Sequence, residues 1–541
     1  MVATESIQCD ILVIGAGAAG MTAAIEAKNA GADVVLISKA DLGKETATSL
    51  ARGMFPGKSR GGKLDIPGYD PRPGDYLEDY SLIRKLEAEV PSQLDNLIKL
   101  GAKITREPSV GGHFMYRTWE GTRVHGGTTI LLRQAKVAEE MGVRAVEGCT
   151  IAGLLKDDGR VTGAFGLLAD GTWLSVFARA TILAAGGGAG IYQVTSTARD
   201  ILGDGYAMAL KAGVTLRNME FVHFYPVGLK TPGGRYVHCS PPILGMKNAR
   251  LVNEKGEDIV EKHFGFSLQK GMPPPAIRFE WLPRAVAAEA VEGKVFLDLR
   301  NVPQEAWEKL PAMNQKAIAK TGLDPKKDLL PFLHMGHAFI GGVVADTEGR
   351  TSVEGLWAAG EVVSGHYAGD NSWGMLPSCF AMGAVVGRSV VDSLERLKAP
   401  RKKGGGPPRE IRRLTASKSG VKPGQLQNEL KQLFFRQIGP IRSGPALEDG
   451  LQKLEALAEK AGEMRCQTAA DLKEALEVKS MLLLGKTMMQ AALLRKESRG
   501  GHYRKDFPKR DDGAWLKSVR ISFDERSGEV RAAIGERMKY G

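Results

Sequence analysis

The chain has 541 residues, of which 43% are hydrophobic and 25% are charged, and its formal net charge is +12. This composition is typical of a folded globular protein and excludes disordered and membrane-embedded classes. The positive charge does not indicate nucleic-acid binding, because the basic residues are spread widely and are densest at 401–403 and 495–510. A docking face for an acidic redox partner accounts for it better.

Length and cysteine usage add further limits. The chain is too long for one core, and no apolar run reaches the roughly 18 residues of a membrane span. The N-terminal sequence lacks a signal-peptide pattern, so we expect a cytoplasmic protein, with any association with a membrane made through partners. The cysteines form no CxxC pair, which predicts no disulfide framework, no metal site and no internal iron-sulfur cluster. They are Cys9, Cys149, Cys239, Cys379 and Cys466.

The first 40 or so residues are typical of a βαβ unit. An apolar run at 11–14 leads into a glycine cluster, an alanine-rich helical stretch follows, and a second strand is predicted at 34–37. In this context GxGxxG predicts dinucleotide binding, because glycines let the backbone approach a pyrophosphate at a helix N-terminus. The cluster consists of Gly15, Ala16, Gly17, Ala18, Ala19 and Gly20.

The second predicted strand ends at Ser38 and Lys39 instead of the acidic residue that NAD-binding units place there. A serine hydroxyl can still meet a ribose hydroxyl, whereas the lysine beside it cannot accept a hydrogen bond. The strand end therefore favours FAD over NAD.

Two more strand-to-glycine segments follow, one after the strand at 181–185 and one at 355–361. Their separation implies one nucleotide-binding sheet assembled from distant parts of the chain, with another domain inserted between Gly228 and about Leu333. The stretch KKGGGPP at 402–408 has the composition of a flexible linker. Residues 426–495 show helical periodicity without strand signals and predict a helical bundle.

Four sequence blocks carry a family resemblance. They are GAGAAG with an Ile-Ser-Lys strand end; AAGGGAG with GDGYAMALKAG and MEFVHFYPVG; HAFIGGVVAD leading to GLWAAGE; and RKESRGGHYRKDFPKRDD. In this order and spacing the chain resembles the flavoproteins of succinate dehydrogenase, fumarate reductase and L-aspartate oxidase, with the adenylylsulfate reductase flavoprotein as a more distant relative.

The resemblance implies an α/β fold, with a Rossmann-like FAD-binding domain, an inserted α+β capping domain and a C-terminal helical domain. We predict the FAD-binding domain at 1–228 and 334–400 and the capping domain at 229–333. A linker at 401–422, a helical bundle at 423–500 and a tail at 501–541 that packs on the body complete the predicted order.

The resemblance also implies the residues that bind FAD. Gly15, Gly17 and Gly20 would form the pyrophosphate loop, and Asp204 and Glu361 would meet FAD hydroxyls. The family's flavin-linking histidine is replaced by Ala47, so we expect the FAD to be non-covalent. Further expected cofactor contacts are Ala18, Ala19, Ser38, Lys39, Thr48, Ser49, Ala185, Gly186 and Ser378.

Two residues keep the family's catalytic pattern. Arg284, in Pro-Arg-Ala-Val-Ala-Ala-Glu, matches the arginine that delivers a proton to carbon, and His337 matches the histidine that polarises the substrate carbonyl or carboxylate. An arginine can transfer a proton only in a desolvated site with a carboxylate behind it. The alternative to a catalytic role is an exposed position at the start of a helix for Arg284 and a structural role for His337.

Two groups that clamp a dicarboxylate are lost. Tyr225 replaces the family's histidine, and Ser372 stands near the position of its second arginine. With Trp373 and His366 these residues predict a larger, more aromatic and less cationic pocket. The segment from Arg495 to Tyr503 matches a family motif that we expect to clamp the helical domain to the FAD domain, with a catalytic share for Arg499 or His502 as the alternative.

We predict an FAD-dependent oxidoreductase that transfers hydride between flavin and a small-molecule substrate other than a simple dicarboxylate. Electrons would be relayed by an iron-sulfur (ferredoxin-like) subunit in a hetero-oligomer. One alternative is an FAD electron-transfer subunit of a larger redox complex, and another is an oxygen-dependent oxidase like L-aspartate oxidase.

Overall fold

The polypeptide is built on β-sheets flanked by helices. The computed structural model describes residues 4–51, 54–56, 77–102, 104–108, 114–118, 126–239, 241–265, 280–366, 375–401, 409–417 and 419–538. Over these ranges none of the helices has both the length and the apolar character needed to cross a bilayer.

Strands and helices are interspersed along the described ranges. In chain order the strands are β1 Thr4–Ile14, β2 Val34–Ile37, β3 Met54–Pro56, β4 Ile104–Pro108, β5 Phe114–Thr118, β6 Arg144–Val146, β7 Thr150–Asp157, β8 Arg160–Leu167, β9 Trp173–Leu183, β10 Leu216–Arg217, β11 Val222–Lys230, β12 Tyr236–His238, β13 Arg250–Asn253, β14 Val295–Asp298, β15 Leu330–Phe339, β16 Gly342–Val343, β17 Leu356–Ala358, β18 Lys517–Asp524 and β19 Glu529–Arg537. The α-helices are α1 Ala18–Asn29, α2 Ala47–Leu50, α3 Tyr80–Lys99, α4 Gly126–Glu140, α5 Asp204–Ala212, α6 Ile259–Phe264, α7 Leu282–Glu292, α8 Gln304–Glu308, α9 Ala312–Ala319, α10 Met375–Ser393, α11 Arg409–Ala416, α12 Pro423–Gln437, α13 Gly444–Ala461, α14 Ala469–Leu494 and α15 Asp512–Trp515.

The largest sheet has seven strands in the order β6-β2-β1-β9-β8-β7, with β17 paired to β9. Strand β1 runs parallel to β2 and β9, and β17 runs parallel to β9 with Leu356 opposite Thr181. The three strand-to-glycine segments therefore meet in one sheet, which confirms the predicted α/β fold class.

The central strands are buried on both faces, as is usual for parallel strands. All four residues of β2 are buried, and Ile11 and Val13 of β1 are fully buried. Helix α1 packs against α10 closely enough that a Cβ on Gly383 would lie 2.3 Å from the backbone oxygen of Ala19. This contact fixes the helix that starts at the glycine turn.

A second, five-stranded sheet has the order β12-β11-β15-β14-β13. Strands β11 and β15 pair antiparallel from Val222–Phe339 to Leu229–Phe332, with irregularities beside His223 and Tyr225. The sheet thus extends several residues beyond both ends of the predicted capping domain at 229–333. The exact domain boundaries stay a prediction.

The C-terminal part combines helices with a hairpin. Helices α12, α13 and α14 pack on one another, and β18 and β19 extend a sheet in the order β16-β10-β18-β19. The predicted linker at 401–422 contains a helix, α11, which buries Ile411 and Leu414 in the main core. Because Ile411 and Leu414 lie on the same side of α11, their burial packs the helix against the core. Residues 402–408, where the linker composition is concentrated, lie outside the described residues.

Candidate functional site

The first strand-to-helix turn allows a very close approach of backbone to backbone. Gly15 has φ 111°, and a Cβ there would lie 2.2 Å from the backbone oxygen of Ala184. A Cβ on Gly20 would lie 1.8 Å from the oxygen of Gly15. Only glycine fits both places, and α1 begins directly behind the turn at Ala18, so that the N-terminal end of the helix lies at the turn.

Helix α2 lies against this turn. The side chain of Thr46 caps it in a reciprocal capping box with Ser49, and the hydroxyl of Thr48 accepts a hydrogen bond of 3.1 Å from the amide of Ala18. The predicted contacts Thr48 and Ser49 are thus held beside the predicted pyrophosphate loop. Ala47, at the first position of α2, presents only a methyl group.

The end of β2 forms an ion-pair cluster. The ammonium of Lys39 lies 2.9 Å from Asp204 and 2.7 Å from Glu477, and it donates a 3.0 Å hydrogen bond to the backbone oxygen of Asp200. Burial lowers the pKa of Lys39, but the two carboxylates outweigh it and raise the pKa overall. Ser38 is buried next to it. The predicted residues Lys39 and Asp204 therefore meet, while Glu477 of α14 was not anticipated.

Glu361, in the third glycine segment, contacts the second glycine segment. Its Oε1 accepts a 3.1 Å hydrogen bond from the amide of Phe339, and a Cβ on Gly187 would lie only 2.1 Å from the same oxygen. Burial raises the pKa of Glu361 to about 7. A carboxyl group of this kind can donate or accept a hydrogen bond, which suits the predicted contact with an FAD hydroxyl. Gly186, a further predicted contact, has φ 74° beside Ala185.

His366 and Ser378 are in contact. The hydroxyl of Ser378 donates to the backbone oxygen of Met375 at 2.8 Å and lies 3.1 Å from Nδ1 of His366. Burial lowers the pKa of His366 to about 4, so the ring is neutral near pH 7. The predicted pocket residues Ser372 and Trp373, which follow in the sequence, lie outside the described residues.

His337 lies among other rings at the irregular pairing of β11 and β15. Its Nδ1 is 2.7 Å from the hydroxyl of Ser196, and its ring centroid is 4.8 Å from that of Tyr225 and 5.7 Å from that of His223. Tyr225 also lies 4.6 Å from His238. Burial, reinforced by His337, lowers the pKa of His223 to about 3. Tyr225 and His337 are thus together as predicted, whereas His223, Ser196 and His238 were not identified from the sequence.

Arg284 lies in the first turn of α7 and faces the C-terminal motif. Its guanidinium donates a 2.5 Å hydrogen bond to the backbone oxygen of Gly500 and lies 4.7 Å from the ring centroid of Tyr503. It is 5.3 Å from the ring of Trp281 and 4.0 Å from the carboxylate of Glu280. Arg284 is therefore not an exposed arginine at a helix start, because its side chain is 12% exposed.

The motif from Arg495 to Tyr503 forms a buried charge network. Glu497 accepts from Arg495 at 2.9 Å and from Arg499 at 2.7 Å, and Arg495 also pairs with Glu220 at 2.7 Å. Arg499 reaches Asp512 at 2.6 Å. The four side chains other than Asp512 are 0% exposed, which favours the structural clamp over a catalytic share for Arg499.

His502, the other candidate in this motif, is paired with an arginine that the sequence did not indicate. The ring Nδ1 of His502 lies 2.9 Å from Nη1 of Arg442, which also donates a 2.6 Å hydrogen bond to the backbone oxygen of Glu220. Arg442 precedes α13, so this contact connects the helical region to the motif. Burial and the adjacent arginines hold the pKa of His502 well below its usual range, and the ring is neutral.

Two family matches cover most of the chain. Residues 10–374 match the FAD binding domain family, and residues 427–537 match the family described as fumarate reductase flavoprotein C-term. The chain belongs to the fumarate reductase and succinate dehydrogenase flavoproteins. It is an FAD-dependent oxidoreductase, and the glycine turn, Thr48 and Glu361 fit that cofactor. In the part of the chain that is described, no three His, Cys, Asp or Glu side chains are arranged to hold a metal ion.

Individual relatives span this flavoprotein from end to end. A fumarate reductase (CoM/CoB) subunit of Methanothermobacter marburgensis is 28% identical, covering 96% of this chain and 98% of that protein. The L-aspartate oxidase of Pyrococcus abyssi is 28% identical, covering 93% of this chain and 96% of that protein. Among solved structures, the Mycobacterium smegmatis Sdh1 complex with UQ1 has a TM-score of 0.85 at 26% identity, covering 98% of this chain and 95% of that one.

The flavin of this flavoprotein should be released by acid. Because Ala47 offers no nucleophile where the family's linking histidine would stand, precipitation with trichloroacetic acid should leave all yellow colour in the supernatant. The measurement is the flavin absorbance of supernatant and washed pellet. Ala47→Ser, which also cannot form the histidyl link, should behave identically, and flavin fluorescence in the pellet of the unmodified protein would contradict non-covalent binding.

Proposed function

We propose that this flavoprotein transfers hydride between FAD and an activated carbon-carbon double bond in a small molecule that is not a simple dicarboxylate. The observation that carries the proposal is the set of rings around His337. Tyr225 lies 4.8 Å away and the neutral His223 lies 5.7 Å away, measured between ring centroids. Neutral rings suit a planar or apolar substrate portion better than a second carboxylate.

The expected division of roles follows from the side chains. FAD, when bound, supplies the hydride acceptor or donor. His337 would hydrogen-bond a carbonyl or carboxylate oxygen conjugated to the double bond. Arg284 would hand a proton to carbon, and the carboxylate of Glu280 at 4.0 Å supplies the negative charge that such a transfer needs behind an arginine.

The arrangement of the cysteines favours an electron carrier on a separate chain. Four of them are buried and the fifth, Cys379, is partly buried, and none lies in a CxxC pair. A two-electron flavin that exchanges single electrons needs a one-electron relay. We therefore propose that an iron-sulfur subunit binds this chain, and the Methanothermobacter relative, which is itself named as one subunit of an enzyme, supports this.

Co-purification tests the proposed partner. Affinity purification of the tagged chain from its own cells, under anaerobic conditions, should bring down a protein with iron and acid-labile sulfide. The measurement is iron and sulfide content per flavin, with a tagged unrelated flavoprotein as control. An isolated chain that turns over fully with dioxygen as sole acceptor and no companion would instead favour an oxidase, the class named by the Pyrococcus relative.

A further inference from the structure

Ser196 is held firmly against the His337 ring by its own backbone. The amide of Ser196 donates a 3.0 Å hydrogen bond to the backbone oxygen of Gly336, and the amide of Gly336 donates a 2.9 Å bond to the oxygen of Val194. Thr195 adds a hydroxyl bond of 3.2 Å to the same Gly336 oxygen. These bonds fix the hydroxyl of Ser196 at 2.7 Å from Nδ1 of His337.

The single hydroxyl proton of Ser196 has two acceptors within reach. The Gly336 oxygen lies 3.2 Å away, but its two lone pairs already receive the Ser196 amide and the Thr195 hydroxyl. The His337 nitrogen lies 2.7 Å away, which is the shorter and stronger contact. Because both lone pairs of the Gly336 oxygen are already used, the Ser196 hydroxyl donates its proton to Nδ1 of His337. Nδ1 is then a hydrogen-bond acceptor and carries no proton.

We propose that Ser196 is a positioning residue that holds His337 as the tautomer with its proton on Nε2. The ring then offers an N–H donor on the side away from Ser196. It cannot take a proton at Nε2, because that nitrogen already carries one. His337 would thus act as an electrophilic donor and not as a base.

This inference rests on the proposed function and narrows its substrate class. An Nε2–H donor calls for an acceptor oxygen, so the double bond should be conjugated to a carbonyl or a single carboxylate. Negative charge that develops on this oxygen during hydride transfer would be stabilised by the fixed donor. A substrate that must first lose a proton to His337 is excluded by the same arrangement.

Side-chain nitrogen NMR of the FAD-bound protein labelled with ¹⁵N-histidine reports the tautomer directly. His337→Gln identifies the His337 signals by their loss. The unmodified protein and Ser196→Thr, which keeps the hydroxyl, should both show the Nε2–H pattern. Ser196→Val, which has nearly the shape of the threonine variant but no hydroxyl, should shift His337 to a mixture or to the Nδ1–H form. Thr197→Val is the control, since the Thr197 hydroxyl has no hydrogen-bond partner among the described residues.

An Nδ1–H signal in the unmodified protein, or an unchanged Nε2–H signal in Ser196→Val, would overturn the inference. The NMR result needs no substrate, so it is separable from the proposed function.

For the proposed function the probe is crotonate, a monocarboxylate with a conjugated double bond. Its binding is followed by the change in flavin absorbance. We expect Ser196→Val to weaken crotonate binding about tenfold and Ser196→Thr to retain it. Absence of crotonate binding with the expected tautomer intact would count against the substrate class alone.

Discussion

Fumarate should be reduced by this flavoprotein on the order of a thousandfold or more slowly than by a dedicated fumarate reductase, with reduced viologen as electron donor. Fumarate carries two carboxylates, and the family resemblance implies that Tyr225 replaces the clamping histidine and that Ser372 is near the position of the clamping arginine. A buried carboxylate without such partners costs several kcal/mol, and each ~1.4 kcal/mol corresponds to a factor of ten in rate.

The assay is anaerobic oxidation of viologen dye on addition of fumarate. Tyr225→His combined with Ser372→Arg should recover part of the activity, whereas the matched pair Tyr225→Phe with Ser372→Lys should not, because lysine lacks the bidentate fork. Rapid fumarate reduction by the unmodified protein would mean that a cation other than the lost arginine holds the second carboxylate.

Removing the charge of Glu497 should lower the free energy of unfolding by about 3 to 5 kcal/mol, the usual effect of breaking a buried ion pair. Its carboxylate is shared by Arg495 and Arg499, all three side chains are 0% exposed, and its second oxygen accepts a 2.8 Å bond from the amide of Asp511. Glu497→Gln keeps the shape but leaves two buried arginines competing for the remaining acids. The measurement is the urea midpoint of the holoprotein followed by circular dichroism.

The matched control is Glu525→Gln in the C-terminal hairpin. Glu525 pairs with Lys156 at 2.7 Å, but its side chain is 56% exposed, so its loss should change stability by at most about 1 kcal/mol. Equal midpoints for the two variants would show that the network around Glu497 does not hold the helical region to the body.

The parts of this fold that follow from local sequence were predictable. Gly15 and Gly20 mark the turn because no other residue fits there, and an apolar run such as that of β2 signals a strand buried on both faces. The family blocks then supplied the order of the domains. A structural feature that depends on one short segment can be predicted from the sequence of that segment alone.

Contacts between distant segments were not predictable in the same way. Lys39 meets Glu477, and Ser196 meets His337, only because separate strands and helices bring them together. The hairpin of β18 and β19 joins β10, a strand of two residues that carries no periodic signal of its own. Helix α11 was missed because the glycines and prolines before it dominate the composition of that stretch.

The parallel strand β17 has a consequence for how the chain is made. It completes the nucleotide-binding sheet beside β9, yet it leaves the ribosome only after the whole inserted segment has been synthesised. Glu361 follows it, at about two thirds of the 541 residues. Nascent chains halted before that point lack both β17 and Glu361, so the sheet is completed only late in translation, and we expect flavin capture to follow that step.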